Sequence, residues 1–199
     1  MRTVDPKLTA ERKSQIMIAA LACFREKGFH GASMSTICKR AKMSPGHLYH
    51  YFSSKEDLIA AIVEQDSEIT MAKVKAIIES DDIFEALLLG LDDIWDHDAE
   101  MQGTVYGEIF AEAARSQRIA ALVREREQQF ADLLAKAIAV GQEKSQINKS
   151  RDPEVFANLM ISMITGMVIR DSAPIGVDRA TSAKAAKTMV INCLSPKAS

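Results

Sequence analysis

The sequence predicts an all-α protein of about nine helices, and three observations favour this fold class. Apolar residues recur at the three- and four-residue spacing of a buried helix face. The first such series is Ile16, Ala19, Ala20, Cys23 and Phe24. Helix start and stop signals follow one another along the chain. Stretches that alternate apolar and polar residues, as a half-buried strand would, are nearly absent.

The first two predicted helices are bounded by capping residues. Thr9 is a suitable N-cap for the first helix, and Gly28 is expected to end it, because glycine readily takes the left-handed conformation that closes helices. Ser33 is expected to cap a short second helix whose buried side includes Ile37. The basic and hydroxyl side chains of that helix then lie away from the core.

A third short helix begins directly after the second. Ser44 is a good N-cap, and Pro45 suits the first helical position, where no amide donor is needed. This helix runs to about Tyr51 and buries Leu48. Two short helices joined by a tight turn form a helix-turn-helix, the geometry that places a helix in the major groove of DNA. We therefore predict a three-helix DNA-binding domain over residues 1–55.

The remaining residues, 56–199, are predicted to form a second helical domain. Its helices are expected at about 55–80, 83–98, 105–116, 119–141, 153–172 and 178–194, with a break near Gln102 and Gly103 and a cap at Asp178. The helix that Pro153 opens is apolar on nearly every side. Such a helix must be covered all round, so we predict that a second subunit covers part of it in a homodimer.

Residues 31–62, GASMSTICKRAKMSPGHLYHYFSSKEDLIAAI, resemble the TetR/AcrR family of transcriptional regulators. The positions that match the family pattern are Ser33, Met34, Ile37, Ala41, Met43, Ser44, Gly46, Leu48, Tyr49, Tyr51, Phe52, Lys55, Glu56 and Leu58. Lys42 departs from it where the family usually has Gly, and His47 departs where Thr is common. Within the family, the segment is most similar to the repressors of glucuronide operons.

The resemblance implies that the partner is a double-stranded DNA operator, and it assigns roles by position. The implied phosphate contacts are Tyr49, His50 and Lys55, the implied base or groove contacts are Ser44, Pro45, Gly46 and His47, and the implied contacts to the flanking backbone are Ser33, Ser35, Thr36 and Lys39. Two alternatives stay open: Tyr49 as a core tyrosine, and Lys55 as the structural start of a surface helix.

The charge distribution favours a polyanionic partner for the N-terminal part. Residues 1–55 carry ten Lys and Arg against three Asp and Glu, whereas the whole chain has 25 against 27. The N-terminal part is therefore basic and the remainder acidic, which is typical of a protein that binds nucleic acid at one end. The absence of a basic amphipathic helix and of stacking platforms argues against membrane and RNA.

The resemblance also implies that a small-molecule inducer, of unknown identity, binds in the second domain. The candidate contacts are Asp92, Trp95, Tyr106, Glu108, Phe110, Phe130, Met163 and Met167. A carboxylate that faces a cavity would favour a cationic or hydrogen-bonding ligand. The alternatives are that the apolar members belong to the core or dimer interface, that the aspartates are solvated, and that Glu112 pairs with Arg115 or Arg118.

Enzyme chemistry is not expected. The sequence contains no Glu-x-x-His pair, nucleophile elbow, phosphate-binding loop or Cys-x-x-Cys motif, and its three cysteines are scattered singly. No metal or cofactor is predicted.

Neither a signal peptide nor a membrane span is predicted. The start of the sequence, Met1 to Thr9, is polar, and the longest uncharged apolar run, Val155 to Ile169, has only 15 residues. A cytoplasmic protein with reduced cysteines is expected.

Taken together, the motifs predict a ligand-responsive transcriptional regulator that binds DNA. The resemblance favours a repressor that leaves a pseudo-palindromic operator when a small molecule binds the C-terminal domain. A TetR-type activator and a ligand-independent DNA binder are the alternatives, because the sequence does not say where the operator lies.

Overall fold

The computed structural model describes residues 6–96, 99–170 and 176–196, except for the side chains of residues 95, 96 and 99–104. Over these residues the fold is all-α, as the sequence predicts. The helices are α1 (Pro6–Gly31), α2 (Met34–Arg40), α3 (Pro45–Tyr51), α4 (Lys55–Ile78), α5 (Ile83–Asp96), α6 (Ala99–Ala113), α7 (Gln117–Glu143), α8 (Pro153–Arg170) and α9 (Arg179–Leu194).

Two predicted helix boundaries are wrong. α1 already includes Pro6, because proline fits the first turn of a helix, so Thr9 is not its cap. The break predicted near Gln102 and Gly103 is absent, and α6 continues through both residues. A single glycine costs only about 1 kcal/mol inside a helix, which is too little to interrupt one on its own. The predicted helix ends at Asp98 and Ser172 lie outside the described residues.

The caps of the helix-turn-helix confirm the local prediction. Ser33 Oγ accepts a hydrogen bond from the Thr36 amide at 3.1 Å, and Ser44 Oγ accepts one from the His47 amide at 3.3 Å. Pro45 is the first residue of α3. Each serine satisfies an amide that the first turn of a helix leaves without a partner.

α2 ends in a left-handed cap formed by a lysine. Lys42 has φ 53°, and its amide donates to the Lys39 carbonyl at 3.2 Å. The Met43 amide donates to the Cys38 carbonyl at 3.1 Å, which completes a Schellman motif. A residue with a Cβ pays about 1 kcal/mol in this conformation. Lys42 therefore performs the cap that glycine would form without strain.

The chain divides into two compact units. The first unit comprises the described parts of Met1–Gln65 and Gly107–Val123, and the second those of Asp66–Tyr106 and Arg124–Ser199. Helices α4, α6 and α7 each contribute residues to both units. The buried side chains of the first unit include Ile16, Ala20, Cys23, Phe24, Ile37, Leu48, Leu58, Ile59 and Ile119. This division differs from a single boundary after residue 55, which remains a prediction.

An aliphatic cluster forms the core of the second unit. It comprises Ile83, Leu87, Leu88, Leu91, Ala131, Leu134, Ala135, Ile138, Ile147, Ala157, Met160, Ile161, Val190 and Leu194. α7 ends with a second left-handed cap at Ser145, whose φ is 60°. A Cβ on Gly141 would lie 2.5 Å from Ile147 Cδ1, so only glycine permits this close approach.

Candidate DNA-binding surface and ligand-binding residues

The residues predicted to contact DNA lie along α2, the turn and α3, with Lys55 at the start of α4. The exposed members are Ser33, Ser35, Lys39, Ser44, Pro45, Gly46, His47, Tyr49 and His50, and the half-buried members are Thr36 and Lys55. Burial of Ile37 and Leu48 on the opposite side of the two short helices turns this polar set outward. The first unit therefore presents a continuous polar surface from α2 and α3.

The first turn of α3 is open to solvent. A Cβ added to Gly46 would meet no atom within 4 Å. Ser44 caps the helix, and His47, one position after Gly46, is exposed. A helix N-terminus with free space above it allows a close approach of a phosphate or a base edge.

Three rings form a connected group on α3. The His47 ring centroid lies 5.4 Å from that of Tyr51, and the His50 centroid lies 5.1 Å from the same tyrosine. Tyr51 is half-buried and contacts both histidine rings. Tyr49 is 52% exposed, so it is not the core tyrosine that the alternative considered.

Lys55 is directed back into the first unit. Its Nζ donates a hydrogen bond to the Phe29 carbonyl at 2.7 Å and lies 4.5 Å from the centroid of the Phe29 ring. The side chain is half-buried. Lys55 is also the first residue of α4, so these contacts favour the alternative of a structural role at the start of that helix.

The ligand-binding candidates divide between the units. Asp92 and Tyr106 belong to the second unit and already have partners. Lys187 Nζ lies 2.5 Å from Asp92 Oδ2, and Tyr106 donates a hydrogen bond to Asp66 Oδ2 at 2.5 Å. Burial, and then the Asp66 charge, raise the pKa of the Tyr106 phenol. The phenol is therefore a hydrogen-bond donor at neutral pH.

The apolar candidates of the second unit lie at its core. Phe130 and Met163 are partly buried against the aliphatic cluster, and Met167 is half-buried on α8. The side chain of Trp95 lies outside the described residues. Glu108 and Phe110 belong to the first unit. The structure thus does not bring the eight candidates together within one unit.

The Glu108 carboxylate is used within the first unit. Its Oε2 accepts a hydrogen bond from the Phe29 amide at 2.6 Å. Its Oε1 would lie 3.3 Å from a Cβ on Gly28. Neither contact was apparent from the sequence, because 79 residues separate Phe29 from Glu108.

Glu112 does not pair with either predicted arginine. Arg118 Nη2 lies 2.7 Å from Asp57 Oδ1, and Arg115 donates to the Ala111 carbonyl at 3.2 Å. Glu112 is 6% exposed, and its Oε2 lies 3.4 Å from His30 Nε2. The prediction failed because Arg118 reaches α4 and Arg115 folds back onto α6, whereas His30 of α1 approaches Glu112.

The second unit has an open cleft of about 190 Å³ between α7 and α8. It is lined by Arg124, Glu127, Gln128, Ala131, Asn158, Ile161 and Ser162, none of which is among the predicted ligand contacts. Burial raises the pKa of the Glu127 carboxyl. The sequence analysis missed this cleft because its polar residues are typical of a solvated helix face.

Within the described ranges, no three His, Cys, Asp or Glu side chains come together as metal ligands would. Cys23 and Cys38 are buried and Cys193 is half-buried, and all three are free thiols. No helix in the described part of the chain is long and apolar enough to cross a membrane.

A capped helix-turn-helix with an outward polar surface, joined to a separate helical core, defines the class of DNA-binding transcriptional regulators. The family model "Bacterial regulatory proteins, tetR family" matches residues 16–62, and "BetI-type transcriptional repressor, C-terminal" matches residues 85–194. The chain belongs to the TetR family, as its motif predicted. It is a DNA-binding transcriptional regulator whose C-terminal part matches the BetI-type repressors.

Individual relatives agree with this assignment. The HTH-type transcriptional regulator UidR of Escherichia coli K12 is 32% identical over 156 residues, which cover 78% of this chain and 79% of the relative. The structure of Salmonella enterica GusR matches with a TM-score of 0.77 and 28% identity, over 96% of this chain and 98% of that one. A regulator from Saccharomonospora viridis in complex with choline shares the fold, with a TM-score of 0.80 at 15% identity, over 94% and 98%.

Proposed function

We propose that two copies of this chain bind a pseudo-palindromic operator through α2 and α3, and that a small molecule in the C-terminal part releases them. The observation that carries the proposal is the continuous exposed surface of the helix-turn-helix. Its proposed DNA contacts are Ser33, Ser35, Thr36, Lys39, Ser44, Pro45, Gly46, His47, Tyr49 and His50. The role of Lys55 is treated separately below. No catalytic activity is proposed, and we place the protein in the cytoplasm, where its DNA partner lies.

The proposed dimer forms through α8 and α9. Val155 and Leu159 on α8 are 54% and 57% exposed, and Met189 on α9 is 61% exposed. Large apolar side chains at this exposure favour a covering surface, since burial yields about 25 cal/mol per Å² of apolar area. A two-fold dimer also presents two α3 helices to the two halves of a palindrome.

The proposed inducer site lies in the second unit. Asp92 and Tyr106 supply polar groups, and Phe130, Met163 and Met167 supply an apolar wall. The Asp92 carboxylate and the Tyr106 hydroxyl are already paired, so an inducer must offer hydrogen-bonding groups that replace Lys187 or Asp66. We therefore propose a ligand with hydrogen-bonding groups beside an apolar part.

Selection from a random duplex library tests DNA binding. The full chain is expected to enrich a palindromic sequence, and recovery of no preferred duplex at low salt would contradict the proposal. Gly46→Ala is the most informative variant, because its methyl group meets no protein atom and alanine is the better helix former. Folding should be unaffected, while affinity for the selected duplex should fall about tenfold or more as the methyl group enters the interface.

Two further variants separate sequence recognition from backbone contact. His47→Ala is expected to change which duplex is selected, whereas Tyr49→Ala should weaken binding to every sequence alike. An equal loss on all duplexes for His47→Ala would make His47 a backbone contact. Mapping the selected site against the promoter then distinguishes repression from activation, the second candidate role.

A further inference from the structure

The first unit contains a junction around Phe29, where α1 changes direction. Gly28 has φ 69° and ψ 167°, outside the helical region, and its carbonyl accepts from the Ala32 amide at 3.1 Å. Residues 29–31 thus begin a new turn with Gly28 at its N-cap position. A glycine has no side-chain oxygen to receive the first amides of that turn.

Glu108 supplies the missing acceptor from another helix. Its Oε2 accepts a hydrogen bond from the Phe29 amide at 2.6 Å, as the side-chain oxygen of an N-cap residue would. A capping side chain at position 28 itself is not available, because its positive φ disfavours residues with a Cβ. The cap of this turn therefore comes from α6.

Lys55 contacts the carbonyl group of Phe29. Its Nζ donates to the Phe29 carbonyl at 2.7 Å and stands over the ring face. Glu108 thus accepts a hydrogen bond from the Phe29 amide, and Lys55 donates one to the Phe29 carbonyl, so both side chains interact favourably with the backbone dipoles of Phe29. The Phe29 ring is 5% exposed, and its centroid lies 5.3 Å from that of Phe24. Phe29 consequently connects α1, α4 and α6 at one point.

We propose that Lys55 and Glu108 are positioning residues that hold Phe29 and thereby set α1 against α4 in the DNA-competent arrangement of the first unit. Lys55 then acts on DNA binding without contacting phosphate, and Glu108 acts without contacting an inducer. The inference rests on the proposed DNA-binding function. Both side chains already have charge-assisted partners, and a half-buried ammonium over an aromatic face has little surface to offer a phosphate.

The salt dependence of DNA binding tests the role of Lys55. The probe is the duplex that the wild-type chain selects, and the variants are Lys55→Met and, as a matched control, Lys39→Met on the exposed side of α2. The slope of log K against log salt is negative, and loss of a phosphate contact makes it less steep by about 0.9 for each contact. Lys39→Met should show that change. Lys55→Met should lose about tenfold in affinity with an unchanged slope. A less steep salt dependence for Lys55→Met than for the wild-type chain would overturn the proposal.

Glu108→Gln and Glu108→Ala test the cap. The amide oxygen of glutamine still accepts a hydrogen bond, so Glu108→Gln should retain affinity within about threefold, while Glu108→Ala should lose about tenfold. Equal losses in the two variants, or none in Glu108→Ala, would overturn the role of Glu108. Should Glu108→Ala fail to fold, the Lys55→Met slope and the Glu108→Gln affinity still decide the proposal.

Hydrogen exchange of the Phe29 amide provides a measurement without DNA. Glu108→Ala should accelerate exchange at Phe29 by about tenfold relative to wild type, and Glu108→Gln should not. Unchanged exchange in Glu108→Ala would refute the cap. Failure of the wild-type chain to select any duplex would instead refute the proposed DNA binding, so the two failures are distinguishable.

Discussion

Both units have an apolar core, but the contacts that join their helices can be compared. In the first unit, directional polar contacts tie α6 and α7 to α1 and α4: Glu108 to Phe29, and Arg118 to Asp57. In the second unit, polar contacts such as Lys187 to Asp92 surround the aliphatic cluster that α5, α7, α8 and α9 share. Apolar burial is strong but has no preferred direction, whereas a hydrogen bond is weaker and is lost when its atoms shift by about an ångström.

This contrast suits the two tasks of a regulator. An aliphatic core tolerates small rearrangements around a ligand, since its energy depends on the area that remains buried. A helix-turn-helix must place its side chains against DNA within narrow limits, and a few charge-assisted bonds define such a geometry well. Truncations in the aliphatic core should therefore change stability most, and substitutions at the first unit's polar contacts should change it less.

The largest effect is expected for Ile138→Ala, at the centre of the second unit. Ile138 is 0% exposed, so truncation loses its burial and leaves a cavity, at a cost of about 2–5 kcal/mol in the free energy of unfolding. Urea denaturation measures the change. Leu89→Ala is the control on the same unit, because Leu89 is 57% exposed and should cost less than about 0.5 kcal/mol. Similar costs for both variants would contradict an aliphatic core at Ile138.

A smaller loss is expected for Gly28→Ala in the first unit. Gly28 has a φ and ψ that are essentially restricted to glycine, so a residue with a Cβ is strained by about 1–3 kcal/mol, and the new methyl group would press on Glu108. Gly107→Ala is the matched control on α6, because its Cβ would meet no atom within 4 Å and alanine should stabilise the helix by up to about 1 kcal/mol. Thermal unfolding distinguishes them. A stabilised Gly28→Ala protein would show that the Phe29 junction differs from the one described.

The Asp57 contacts should make part of the first unit's stability depend on pH. The Ser53 hydroxyl, and then Arg118, lower the pKa of the Asp57 carboxyl to about 2. A depressed pKa in the folded state stabilises the protein above the ordinary pKa of about 4, and this contribution is lost as the pH falls from there towards 2. Wild type should therefore lose more stability than Asp57→Asn in urea titrations between pH 5 and pH 3. Parallel curves would mean that the contacts of the Asp57 carboxylate with Ser53 and Arg118 contribute nothing.

The smallest effect concerns the two left-handed caps. Lys42→Gly removes backbone strain but raises the entropy of the unfolded chain, so we expect a net stabilisation of about 0.5 kcal/mol. Ser145→Gly makes the same change at the equivalent cap in the second unit. Differential scanning calorimetry should find similar shifts. A destabilised Lys42→Gly protein would indicate that the lysine side chain contributes packing of its own.

Local features were readable from the sequence, and distant contacts were not. The caps at Ser33 and Ser44, the break at Gly28 and the strained position of Lys42 depend on neighbouring residues, so their chemistry is visible in a short segment. The partners of Glu108 are 79 and 80 residues away, and the Asp92 carboxylate meets a lysine 95 residues away. One sequence contains no sign of such pairs. The same limit explains why Glu112 was expected beside an arginine instead of His30.

The distribution of cysteines gives each unit its own chemical reporter of opening. Cys23 and Cys38 are buried in the first unit, and burial raises the pKa of both thiols, so neither forms a reactive thiolate while the unit is closed. Cys193, in the second unit, is half-buried and more accessible. The unmodified protein can therefore be followed by the rate at which each thiol is alkylated. Slow labelling at the two buried sites would time the fluctuations of the helix-turn-helix separately from those of the aliphatic core.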